Sequence, residues 1–240
     1  MLGVLGGMGP LATAEWLSTL IRVTPATRDQ DHIPLLVYSV PQVPDRNDAI
    51  LCGGADPAAA LLEGVRRLEA GGASAIAIPC NTAHHWYSIL QASTTLPILH
   101  IVDAVVQVLE ERGIIGPIGL LATTATLSAQ IYENRLRLAG RQCLHPAPDH
   151  QAAVMQAIRA VKAGQPAEAR SATRAAANAL VERGAQAVVL ACTELPLVVF
   201  DSSEAPFVDA GRALAQMCVR WWMAASRAES PTVAHGHDVA

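Results

Sequence analysis

The chain repeats itself. Gly72-Ala73-Ser74-Ala75-Ile76-Ala77-Ile78-Pro79-Cys80-Asn81-Thr82 aligns without gaps to Gly184-Ala185-Gln186-Ala187-Val188-Val189-Leu190-Ala191-Cys192-Thr193-Glu194, an offset of 112 residues in a chain of 240. At an offset of 116, Leu2-Gly3-Val4-Leu5-Gly6 aligns to Ile118-Gly119-Leu120-Leu121-Ala122. Two matches in the same order imply two similar halves, with a boundary near residues 97–117. Each half has a first strand running into a small-residue loop, and a later strand ending in cysteine plus a hydroxyl residue. Short apolar runs (2–5, 35–40, 75–79, 98–101, 118–122) read as strands. Amphipathic stretches from about Leu11, across Ala58–Ala70, from Thr82 and through Val105–Glu111 read as helices. Apolar runs without alternation are buried on both faces, and helices between them require parallel strands with right-handed crossovers. The class expected is α/β: two pseudo-symmetric domains, each a mostly parallel sheet flanked by helices, with the active site in the cleft between them. The first is expected to take residues 1–100 plus a C-terminal helix at about 208–225, and the second 101–207. The polar segment 226–240 has no helical period and reads as a loose tail.

With 51% hydrophobic and 16% charged residues, the composition excludes disorder as the main state. A net charge of −4 and only 4% aromatics leave neither a basic excess nor a stacking surface for nucleic acid. No run of about 18 apolar residues exists to span a membrane. The apolar opening lacks a basic leader and is interrupted by Glu15, so it reads as strand, loop and helix rather than a signal peptide. The five cysteines are odd in number with no CxxC pair, which points to reduced thiols in a cytoplasm.

In an open α/β sheet, ligands sit at the carboxyl ends of the strands. Cys80 and Cys192 both fall there, and two related halves would present them from opposite sides of one cleft. A thiol at a helix N-terminus has its pKa lowered by the backbone dipole. Such a pair can hold one thiolate and one thiol, a base on one face of a substrate and an acid on the other. That suits removal of a proton from carbon and its return from the opposite side. Cys52, Cys143 and Cys218 lack a repeat partner and read as small apolar residues, buried and inert.

Gly6-Gly7-Met8-Gly9-Pro10-Leu11-Ala12-Thr13, Arg28-Asp29-Gln30-Asp31-His32, Pro44-Asp45-Arg46, Pro79-Cys80-Asn81-Thr82-Ala83-His84 and Ala191-Cys192-Thr193-Glu194 together resemble the aspartate/glutamate racemase superfamily, on its aspartate racemase branch. The resemblance runs from about residue 2 to about 200. It implies cofactor-independent racemisation of aspartate by two cysteines, in two pseudo-symmetric domains, commonly as a homodimer. It also implies that Arg46 and Lys162, the chain's only lysine, hold the substrate's two carboxylates. Arg46 would do so as a bidentate fork and Lys162 as a point charge. A glutamate or broad-specificity racemase, a decarboxylase of substituted malonates and a non-catalytic binder of small carboxylates are the alternatives.

The residues themselves suggest how such a site would be completed. The loop Gly6–Gly9, including Met8 and Gly9, leaves backbone N–H groups near a helix start where a carboxylate can bind. Thr123, Thr124 and Thr126 take the equivalent place in the second half, and Asn81, Thr82 and Thr193 stand beside the cysteines. Glu194 either tunes Cys192 or caps the following turn. Gly7-Met8-Gly9-Pro10-Leu11-Ala12 matches a dinucleotide fingerprint, but Tyr38-Ser39-Val40 occupies the place of its acidic partner. Cys80, His84 and His85 lack a second pair to make a metal site, and His84 reads as a hydrogen-bonding group beside the cleft.

Overall fold

The computed structural model describes residues 1–165, 169–198 and 207–229, with side chains to Arg227. The first half runs β1 (Leu2–Gly6), α1 (Pro10–Val23), β2 (Leu35–Ser39), α2 (Arg46–Cys52), α3 (Ala58–Ala70), β3 (Ala75–Ala77), α4 (Tyr87–Ala92), β4 (Ile98–Leu99) and α5 (Ile101–Glu111). The second runs β5 (Ile118–Ala122), α6 (Thr124–Ser128), α7 (Glu133–Leu138), β6 (Cys143–Leu144), α8 (Pro148–Lys162), α9 (Ala169–Glu182), β7 (Ala187–Ala191) and β8 (Phe207–Asp209). The last helix, α10, spans Ala210–Glu229.

Two four-stranded sheets result, ordered β2-β1-β3-β4 and β6-β5-β7-β8, with every pairing parallel. The repeat therefore has a spatial meaning. Its first match places β3 and β7 at the same position in the two sheets, and its second does so for β1 and β5. Leu2 pairs with Leu35 and Ala75, while Ile118 pairs with Cys143 and Ala187, so the registers correspond as well.

Strand alternation divides the core into layers. Leu2, Val4, Ala75 and Ala77 share one central cluster with Ile118, Leu120, Ala187 and Val189, together with α5 and α10. The opposite faces pack outward. Leu5, Ile76 and Ile78 meet Leu61, Val65 and Leu68 of α3, and Leu121, Val188 and Leu190 meet α8 and α9. Gly64 lets α3 approach β1, because a Cβ there would collide with Leu5.

The loop after β1 is tightly specified. Gly7 has φ of +93°, and a Cβ would run into the Val40 backbone, so only glycine fits. The Thr13 hydroxyl accepts from Gly7 N–H at 2.9 Å and donates to the Gly9 carbonyl at 2.8 Å, closing the loop onto α1. Pro10 opens that helix, where its missing N–H costs nothing.

Several local expectations differ. Strand β3 ends at Ala77, two residues short of the expected run. The stretch from Thr82 is a 3-10 turn over Thr82–Trp86 before α4 begins. Strand β4 stops at Leu99 because His100 caps α5, its Nδ1 accepting from Val102 N–H at 3.1 Å. Helix α10 continues to Glu229, four residues into the segment read as a tail, carried by the good helix formers Ala224, Ala225 and Arg227. Residues 230–240 lie outside the described residues. Among the described residues no helix is long and apolar enough to cross a membrane.

Candidate active site

Cys80 follows β3 and Cys192 follows β7, and both line one cavity at these carboxyl ends. Met8, Arg46, Asn47, Asn81, Thr82, Thr123, Lys162, Thr193 and Glu194 complete its wall. The cavity has about 10 Å³ of free volume, room for one water-sized sphere and no more. Arg46, Lys162 and Glu194 also line an adjoining hollow of about 290 Å³ with Gly9, Pro41 and Asp45. A wider hollow of about 530 Å³ beside Trp16 and Arg212 includes neither cysteine nor either of these cations among its described residues.

The two cysteines are not equivalent. The Cys192 thiol donates to Glu194 Oε2 at 2.9 Å. Burial pushes this thiol well above its ordinary range, and the Glu194 carboxylate adds to the shift, while Lys162 opposes it. The helix-dipole expectation is corrected here. The elements after the cysteines are 3-10 turns, Thr82–Trp86 and Leu195–Leu197, too short to sum a macrodipole. Burial and a carboxylate decide the state of Cys192, which is a protonated thiol. Glu194 makes no side-chain cap to the following turn, so of its two expected roles it has the tuning one.

Cys80 is held through its backbone. Its carbonyl accepts from His84 Nδ1–H at 2.9 Å, and His84 Nε2 accepts from Ile101 N–H at 3.2 Å. These partners fix the neutral Nδ1–H tautomer. Burial lowers the His84 pKa to about 4, in keeping with that assignment. His84 is thus a hydrogen-bonding strut. Among the described residues no group of three or more His, Cys, Asp or Glu could hold a metal ion.

Thr82, Thr123 and Thr126 form a triangle of hydroxyls at 2.9–3.1 Å that ties the two halves together. Thr126 is fully buried behind the wall. Thr124 is turned aside: its hydroxyl accepts from Gln151 at 3.3 Å and it does not line the cavity. Gly9 lines only the adjoining hollow. Arg46 is 7% exposed, and its Nη1 donates to the carbonyls of Val43 at 3.1 Å and Pro44 at 3.0 Å. No carboxylate pairs with it among the described residues. Lys162 reaches the cavity from the exposed last turn of α8.

Two residues of the site escape sequence reasoning. Asn47 lines the cavity beside Arg46, and only its place next to the Pro44-Asp45-Arg46 motif signals it. Tyr132 donates to Asn81 Oδ1 at 2.5 Å from 51 residues away, and no local pattern announces it. Of the unpaired cysteines, Cys143 and Cys218 lie outside the cavity, and burial pushes both thiols up, Cys143 to about 12. Cys52 is exposed at the end of α2, so its expected burial does not hold.

Four residues that line the cavity each hold a buried polar atom without a protein partner: Arg46 Nε, Asn47 Oδ1, Asn81 Nδ2 and Glu194 Oε1. Two are donors and two are acceptors. Buried polar groups are normally hydrogen-bonded, so such a set marks a place where a ligand completes the pairing.

Comparison with known proteins identifies the family. The profile of the Asp/Glu/Hydantoin racemase family matches residues 5–218. The broad specificity amino-acid racemase RacX of Bacillus subtilis (strain 168) is 30% identical over 93% of this chain and 99% of its own length. Picrophilus torridus aspartate racemase superposes with a TM-score of 0.82 at 32% identity, covering 92% of this chain and 93% of its own. A glutamate racemase from Francisella tularensis subsp. tularensis SCHU S4 shares the fold, with a TM-score of 0.65 at 16% identity over 94% and 81% of the two chains. By family match, sequence identity and fold, the chain belongs to the Asp/Glu/hydantoin racemase family and is an isomerase of the racemase type.

Proposed function

We propose that this protein is a cofactor-independent racemase that interconverts L- and D-aspartate, with Cys80 and Cys192 as the two acid–base groups. The observation that carries the reading is the closed cavity holding both thiols together with two unpartnered donors and two unpartnered acceptors. Donors at Arg46 and Asn81 suit carboxylate, and acceptors at Asn47 and Glu194 suit ammonium. An amino-acid zwitterion supplies both. A buried guanidinium without a carboxylate partner favours a ligand bearing a further negative charge, since an unpaired buried charge is costly. Lys162 adds a second cation at the mouth.

In one direction the α-proton passes to the Cys80 sulfur as thiolate, and the electron pair left on carbon spreads into the α-carboxylate. Cys192, held as a thiol by Glu194, then gives its proton to the opposite face, leaving the other enantiomer and the thiolate of Cys192. The reverse direction exchanges the roles. Arg46 and Asn81 donate toward the growing negative charge in a site too small to admit bulk water, where such donors act most strongly. Admission of substrate requires opening on the side of Arg46, Lys162 and Glu194. The same reading places the enzyme in the cytoplasm as a homodimer, as its family resemblance implies.

The name of the B. subtilis relative favours a second reading, a racemase of broad specificity. The test is a chiral assay of the common amino acids without added cofactor, run on the wild type and Arg46→Ala. Racemisation of aspartate, lost by about a hundredfold or more in kcat/KM when the charged hydrogen bonds of Arg46 go, supports the aspartate reading. Equal rates on uncharged amino acids, insensitive to Arg46→Ala, support the broad one. No racemisation, and no solvent deuterium entering Cα, refutes both.

A further inference from the structure

We infer that Tyr132 is a positioning residue of this site: its phenol aims the Asn81 amide so that Nδ2, rather than Oδ1, faces the reacting centre. The inference rests on the racemase reading. Tyr132 precedes α7 in the second half and is fully buried, while Asn81 follows Cys80 in the first. Its hydroxyl donates to Asn81 Oδ1 across the cleft.

A side-chain amide can present either end, since oxygen and nitrogen are nearly the same size. The phenol removes that freedom. Its single proton is buried and needs an acceptor, which Asn81 Oδ1 supplies. Turned around, the amide would set N–H₂ against the phenol oxygen and leave the hydroxyl proton unpaired. Burial, together with the nearby Asp209, pushes the phenol pKa well above its ordinary range, so it remains a donor. Asn81 Nδ2 is then left buried and unpartnered, on a residue that lines the cavity. It becomes a fixed donor for the carboxylate next to the carbon that Cys80 addresses.

The surrounding ties make the role separable from folding. Thr82 is held by Thr123 and Thr126, and the Cys80 carbonyl by His84. Removing the phenol oxygen therefore leaves the backbone of the cysteine loop in place and releases only the amide.

The test is a double-mutant cycle on aspartate racemisation, using Tyr132→Phe and the near-isosteric Asn81→Leu. Tyr132→Phe is expected to lower kcat/KM about tenfold, the scale of one hydrogen bond, chiefly through kcat because charge grows on that carboxylate in the transition state. Asn81→Leu is expected to lose at least as much, and the double variant no more than Asn81→Leu alone. The double variant removes both polar partners together, so it stays folded even if Tyr132→Phe does not. Its comparison with Asn81→Leu then carries the result. A further loss in the double variant, or wild-type kcat/KM in folded Tyr132→Phe, would overturn the assignment. A wild-type protein that racemises nothing would overturn the racemase reading instead, a separate outcome.

Discussion

A thiol that donates to a buried carboxylate gives up its proton reluctantly, and this makes Cys192 and Cys80 unequal before any substrate arrives. Glu194 accepts from Cys192 through Oε2 while its Oε1 is buried without a protein partner, so on the proposed reading one side chain serves both the catalyst and the ligand. In the proposed mechanism each sulfur addresses one face of Cα, and every inversion needs both. Cys80→Ser and Cys192→Ser are therefore each expected to abolish net racemisation. A hydroxyl is far too weak an acid to stand in for the thiol as base. Each variant should still exchange the α-proton of one enantiomer with solvent through its surviving thiol. The two variants should retain exchange with opposite enantiomers. Deuterium incorporation at Cα, followed by NMR separately on L- and D-aspartate, checks this. Wild-type racemisation rates in both variants would remove the cysteines from the mechanism.

Between residues and the whole molecule stand the strand ends and the turns that follow them. The strands were legible because β1, β3, β5 and β7 are apolar throughout, and the repeat paired them across the halves. The turn after Cys80 was not. Ala83, Trp86 and Leu90 share a helical period, but the first turn is drawn into 3-10 form where Thr82 bonds to the second half and His84 to the Cys80 carbonyl. Those partners come from tertiary structure, which local periodicity does not encode. The same holds for Tyr132, whereas Cys80, Cys192 and Arg46 stood in readable motifs. His84 links the Cys80 loop to the start of α5, and it does so only when neutral. Its folded pKa of about 4 lies below the ordinary value of 6.5, so the unfolded chain binds the proton more tightly. Stability linked to His84 is complete above about pH 6.5 and declines as pH falls toward 4, by roughly 3 kcal/mol in all. Wild-type protein should lose stability over that window relative to His84→Gln, measured by denaturant unfolding at a series of pH values. Parallel curves for the two proteins would show that His84 does not carry this linkage.

At the scale of the molecule, two sheets with matching strand order suggest two folding units, but the packing argues for one. The central cluster takes the inner face of both sheets and is filled by α5 and α10, so neither half can bury that face alone. Only the outer layers, around Leu61 in the first half and Leu180 in the second, belong to one sheet each. Separation would expose the whole inner apolar layer to water, at about 25 cal/mol for each Å² uncovered, a cost far above the marginal stability of a domain. The cleft residues follow the same logic, since the threonine triangle and the Tyr132–Asn81 bond exist only when the halves are together. Unfolding is therefore expected as one cooperative transition, with calorimetric and van't Hoff enthalpies equal. Leu61→Ala, a fully buried truncation, should cost about 2–5 kcal/mol. It should also lower the protection of amides in β5 and β7, although it touches neither. Hydrogen exchange of Leu121 and Val189 in Leu61→Ala is the decisive measurement. Unchanged protection there, or a melting curve that splits in two, would mean that the halves fold independently and that the shared core contributes little to holding the site together.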